Sequence, residues 1–101
     1  MAQFDVFQTA FPNAPLVLDV QSDLLNNLDT RVVIPLEPIT IAAPLVTRLN
    51  PAFDIRGASY FLDTAEISTV PAAALKLPVA SLALTHRQAI IDALDFLVHG
   101  Y

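Results

Sequence analysis

The sequence predicts a mainly β chain (β+α): short strands curled into a partly open, SH3-like barrel, followed by one C-terminal α-helix. Three observations carry this expectation. Short runs rich in β-branched and aromatic residues recur between chain breakers, all eight prolines lie between Pro12 and Pro78, and the chain after Leu82 turns proline-free with an apolar period near 3.6.

The strand-like runs are Gln3 to Thr9, Leu16 to Gln21, Arg31 to Leu36, Ile39 to Ala43, Ala52 to Arg56 and Ser59 to Asp63. Arg56-Gly57-Ala58 separates two of them by a hairpin-length gap, and Gly57 supplies the positive φ that such turns require. Val70-Pro71 and Leu77-Pro78 suit edge or connecting segments, because proline has no N–H to give to a ladder.

Thr85 with Gln88 three residues on matches a capping box, so a helix is expected to start there. Ile90, Ile91, Leu94, Leu97 and Val98 fill one face, and Ala89, Ala93 and Phe96 widen it to an arc of roughly 220°. Only a strip of Gln88, Asp92, Asp95 and His99 stays polar. That geometry suits either a helix packed on its own barrel and on a partner chain, or one sunk deeply into a single core. Gly100 falls where helices end in a left-handed residue.

Residues 1–101 are expected to form a single domain, since a chain of 101 residues has room for one core. A hydrophobic fraction of 54% against 15% charged residues is more apolar surface than a monomer of this size hides, which favours a homodimer. The chain has no cysteine, no basic leader and no apolar run near the roughly 20 residues of a membrane span, so a cytoplasmic protein without membrane contact is expected. Ten acidic residues against five basic ones, with Arg31, Arg48, Arg56, Lys76 and Arg87 scattered, disfavour direct nucleic-acid binding.

The sequence lacks the patterns of catalysis. It has two glycines, no phosphate loop, no nucleophile elbow and no zinc motif, so neither a catalytic residue nor a cofactor is expected. His86 and His99 lie at opposite ends of one helix, too far apart to share a metal, and no metal ligands are assigned. Asp19 and Asp23 are the closest acidic pair in the strand region. They can divide acid and base roles, although Asp23 before Leu24-Leu25 reads more naturally as the cap of a turn.

Asp19-Val20-Gln21-Ser22-Asp23-Leu24-Leu25 followed by Val33-Ile34-Pro35-Leu36, with Val70-Pro71 and Leu84-Thr85-His86-Arg87 in order behind them, resembles the CcdB family of toxins. The likeness spans nearly the whole chain. It implies an SH3-like barrel dimerised through its C-terminal helices, here through Leu94, Leu97 and Val98. It implies a protein that is not an enzyme, binds the A subunit of DNA gyrase and traps the cleaved-DNA complex. Its other partner would be a cognate CcdA-type antitoxin, which neutralises the toxin, and the pair can repress its own operon. Matched by position, the gyrase-binding residues would be Leu24, Leu25, Asp95, His99, Gly100 and Tyr101. The tail departs from the pattern: the family's best-known member has asparagine at Asp95, phenylalanine at Val98, tryptophan at His99 and isoleucine at Tyr101.

Two other readings share the fold. One is an endoribonuclease toxin of the MazF or Kid type, in which Arg31 with Asp19 or Asp23 would act on a ribose hydroxyl and its phosphate. The other is a non-toxic family member that only binds an antitoxin.

Overall fold

The computed structural model describes residues 2–39 and 47–100. Strands β1 (Asp5–Gln8), β2 (Leu16–Asp19), β3 (Thr30–Pro38), β4 (Ala52–Ile55), β5 (Ala58–Leu62), β6 (Ser68–Pro71) and β7 (Pro78–Ser81) precede a single helix, α1 (Arg87–His99). The strands form one antiparallel sheet in the order β4-β5-β3-β2-β1-β7, with β6 also paired to β3. The sheet curls into an open half-barrel with α1 packed against it.

The long strand β3 organises the curl. One edge pairs with β6 through Thr30–Val33 and with β5 through Leu36–Pro38, while the other pairs with β2 through Val33–Pro35. A nine-residue strand that serves three neighbours must bend away from its first partner to meet the last.

Successive strand residues point to opposite faces, and here both faces are covered. Val6, Leu18, Ile34 and Leu36 join Phe4, Phe53, Leu62, Leu82, Ile90 and Ala93 in the main core beneath the helix. Phe7, Val17 and Val33, one residue out of step, meet Leu75, Ala14 and Val70 on the other side. Two-sided burial is why β2 and β3 read as nearly continuous apolar runs.

Five of the expected strands are present within a residue or two. Ile39 to Ala43 is not one of them: Ile39 lies outside any strand, and 40–43 fall outside the described residues. The segments around Val70-Pro71 and Leu77-Pro78 are strands, and among the described residues each pairs with one other strand, which suits their prolines. Arg56 and Gly57 form the two-residue β4–β5 loop with φ of 53° and 83°, the positive pair that a type I′ hairpin requires. Arg56 also donates from Nε to the carbonyl of Val79 at 3.2 Å, so the tip of this hairpin reaches β7 at the far end of the strand order.

The capping box does not form. His86 is the N-cap and makes no side-chain capping bond, Thr85 Oγ1 lies 2.6 Å from His86 Nδ1, and Gln88 Nε2 donates to Asp92 Oδ1 at 2.8 Å. The start is set instead by packing: His86 meets the Phe53 ring edge-on at 4.7 Å, and its carbonyl accepts the Ile90 N–H. At the other end Gly100 takes φ 80° and returns its N–H to Phe96 O at 2.9 Å, as expected of a left-handed helix stop. Ile90 and Ala93 are fully buried while Leu97 and Val98 are 36% and 70% exposed, so the helix is not sunk in a single core.

Candidate functional site

Two stretches of exposed apolar surface stand out, and each is built by the element before it. The first follows β2. The chain leaves the sheet after Asp19, makes a 3-10 turn at Asp23–Leu25 and re-enters at Thr30, leaving Leu24 91%, Leu25 47% and Leu28 48% exposed. Ser22, not Asp23, caps this turn: its Oγ accepts the Leu24 N–H. Asp23 turns outward and accepts the Gln3 N–H at 2.8 Å, tying the turn to the N-terminal segment.

Beneath the turn lies a buried polar network. Arg31 Nε donates to Asp19 Oδ2 at 2.9 Å, and Nη2 lies 2.7 Å from the same oxygen as an ion pair without hydrogen-bond alignment. The other arm of the guanidinium, Nη1, donates to Asn26 Oδ1 at 2.6 Å. Gln21 accepts the Val32 N–H and donates to Leu25 O. Burial pushes the Asp19 carboxyl above the ordinary aspartate value, against the opposing pull of Arg31 and the Gln21 N–H.

Sequence reasoning offered Arg31 with Asp19 or Asp23 as a catalytic pair. The structure brings Arg31 to Asp19 and not to Asp23, and it closes that pair off, with the two side chains 1% and 0% exposed. A group that water does not reach cannot meet a ribose phosphate, so the pair is a structural one in this fold.

The second stretch is the end of α1. Asp95, Leu97, Val98, His99 and Gly100 are exposed, and Leu94 is half-buried against the core. Phe96 turns back toward the body, where the Arg48 guanidinium stacks on its ring at 4.8 Å. Tyr101, matched to the same tip, lies outside the described residues. The two stretches share a support: Arg87 in the first turn of α1 sits over the Phe4 ring at 5.3 Å, and the neighbouring Gln3 is the residue held by Asp23.

Leu28 and Leu84, the latter 99% exposed, were not singled out from sequence. For Leu28 the signal was there, since it is a leucine between Asn27 and Asp29, whereas Leu84 follows Leu82 and Ala83 and reads as part of an apolar run. The roles of Gln21 and Asn26 left no such trace, because they depend on which backbone groups the fold brings near.

Among the described residues no three His, Asp or Glu side chains gather where a metal ion could be held. No helix among them is long and apolar enough to cross a membrane.

Comparison with known proteins bears on this arrangement. No curated protein sequence matches the chain. Among solved structures, an endoribonuclease in complex with its cognate antitoxin, from a mycobacterial species, is similar over 94% of this chain and 91% of that one, with a TM-score of 0.76. At 13% identity that likeness shows the fold alone. The family model for CcdB protein matches residues 3–100, which takes in the buried network, the leucine turn and α1, and the chain therefore belongs to the CcdB family.

Proposed function

We propose that this protein is the toxin of a type II toxin–antitoxin pair, and that it acts without chemistry of its own by binding the A subunit of DNA gyrase and trapping the cleaved-DNA complex. Two copies pair through Leu94, Leu97 and Val98, and the paired helix ends with Leu24 and Leu25 form the gyrase-binding surface. A CcdA-type antitoxin binds the toxin and neutralises it.

The observation that carries this reading is the exposed apolar end of α1, stopped by a left-handed glycine, in a chain of the CcdB family. Leu97 and Val98 beside the helix stop are 36% and 70% exposed, so much of their apolar surface is not used by the fold, which fits a surface meant for partners. The formal charge of −5 supports a protein rather than a nucleic acid as the target.

Induction of the gene is expected to arrest growth, with arrest relieved by a mutation in the gyrase A subunit. Purified protein is expected to accumulate cleaved DNA in the presence of gyrase. Growth arrest that ignores the gyrase mutation would sink the gyrase target.

A second reading has one observation in its favour, the likeness to the mycobacterial endoribonuclease. Against it stands Arg31, the cation such chemistry would draw on, which is 1% exposed and committed to Asp19 and Asn26. Incubation with mRNA alone separates the two readings, since the gyrase reading expects no cleavage.

A further inference from the structure

We propose that Gln21, Asn26 and Arg31 are positioning residues, which hold Leu24, Leu25 and Leu28 as a preset apolar ledge for the target. The inference rests on the reading that this turn meets gyrase, and it adds Leu28 to the surface.

The burial pattern points there first. Four polar or charged side chains are buried among the described residues, and three of them, Asp19, Gln21 and Arg31, belong to one network that ends on the leucine turn. Buried polar groups add little net stability compared with apolar ones of the same volume, but they fix a geometry. What this network fixes is a short loop that carries three exposed leucines.

Each tether joins the sheet to a different point of the loop. Gln21 bridges the Val32 N–H on β3 and the Leu25 carbonyl, while Arg31 bridges Asp19 at the end of β2 and the Asn26 side chain. The loop's own backbone is also satisfied: Leu24 N–H binds Ser22 Oγ, Leu25 N–H binds Ser22 O, Asn26 N–H binds Asp23 O, and Leu28 N–H binds Leu25 O. Leu25 O thus accepts twice, from inside the loop and from Gln21. A loop tied down in this way has little conformational freedom left to lose on binding. Leu24, at 91% exposure, gains nothing from the folded chain and keeps its whole apolar surface for a partner.

Asn26 is exposed, so its side chain can be removed without opening the core. In the full-length Asn26→Ala variant, the amides of Leu25, Asn26 and Leu28 should exchange with deuterium about tenfold faster, and affinity for purified gyrase A subunit should fall about tenfold. The thermal midpoint should fall by only a few degrees, because the buried Arg31 loses one acceptor but keeps Asp19. Asn26→Asp, which keeps an acceptor for Arg31, should restore protection and affinity together. Gln21→Glu, which in its ionised form keeps the acceptor for Val32 but cannot donate to Leu25, should repeat the alanine result by a separate tether at alkaline pH.

Unchanged exchange in both Asn26→Ala and Gln21→Glu overturns the positioning role, as does wild-type affinity in a variant whose loop has loosened. A loss that follows a larger fall in the thermal midpoint and is not rescued by Asn26→Asp also overturns it, since the residue would then be structural only. Failure of the wild-type protein to bind gyrase A counts against the target alone, and the exchange measurement then decides the positioning by itself.

Discussion

Arg31 shows how one side chain can serve stability while looking like chemistry. Its guanidinium is enclosed with the Asp19 carboxylate, and a buried charge that loses its partner must either bear the desolvation cost or change its protonation. Arg31→Ala should therefore cost about 3–5 kcal/mol in a denaturant titration, because it strands Asp19. Adding Asp19→Asn to that variant should recover part of the loss, and a double variant no more stable than the single one would show that charge is not the cause. Asp63 offers a milder case with a pH signature. Burial and the neighbouring Glu66 raise its carboxyl above the unfolded value of 3.8, so the folded state binds the proton more tightly than the unfolded one. Its contribution to stability is thus fully present below pH 3.8 and is lost as pH rises through the raised value, the reverse of a salt-bridged aspartate. Asp63→Asn should remove that decline, making the variant more stable relative to wild type at pH 7 than at pH 3, as two urea titrations would show. Sequence placed Arg31 and Asp19 as a possible pair but assigned the pair a reaction. Only burial, which depends on three strands meeting, tells the two roles apart.

At the scale of the element, α1 carries two apolar faces with different duties. Ile90 and Ala93 are completely enclosed by the sheet, whereas Val98 is 70% exposed on the same helix. Ile90→Ala should lower stability by about 2–5 kcal/mol through lost burial and an unfilled cavity. Val98→Ala, measured in dilute solution where the chain is monomeric, should stay within about 0.5 kcal/mol of wild type. Equal losses from both would mean that Val98 is enclosed in the folded monomer after all. The helix and its glycine stop were legible in sequence because the 3.6 period, the absence of proline and Gly100 are local signals. Its start was not, since Thr85 and Gln88 offer a capping box that the chain does not use. Thr85 turns instead to His86, whose ring is drawn to Phe53 on β4, a contact between residues far apart in sequence. The same divide runs through the strands. The β4–β5 hairpin could be read from Gly57 alone, while the sharing of β3 among three partners could not be read from any one run.

For the whole molecule, the balance of apolar surface is the quantity that sequence read earliest. A chain with a 54% hydrophobic fraction covers both faces of its sheet and still leaves Leu24, Leu84, Leu77 and Val98 more than 60% exposed. Placing the partner of that surface requires the helix. Val98 and Leu97 continue the apolar arc past the edge of the monomer's own core, and two such arcs meeting about a twofold axis would each cover the other. If that is the dimer, a charge at its centre must be desolvated without a partner, which a marginal interface does not tolerate. Val98→Glu should therefore give a folded monomer in light scattering, with the circular dichroism of the wild type, while wild-type protein at the same concentration is a dimer. Gyrase trapping should be lost with the dimer, because the proposed surface is assembled from two helix ends. Wild-type mass and trapping in Val98→Glu would move the interface elsewhere on the barrel, and a monomer that still traps gyrase would leave a single helix end with its leucine turn as the whole binding unit.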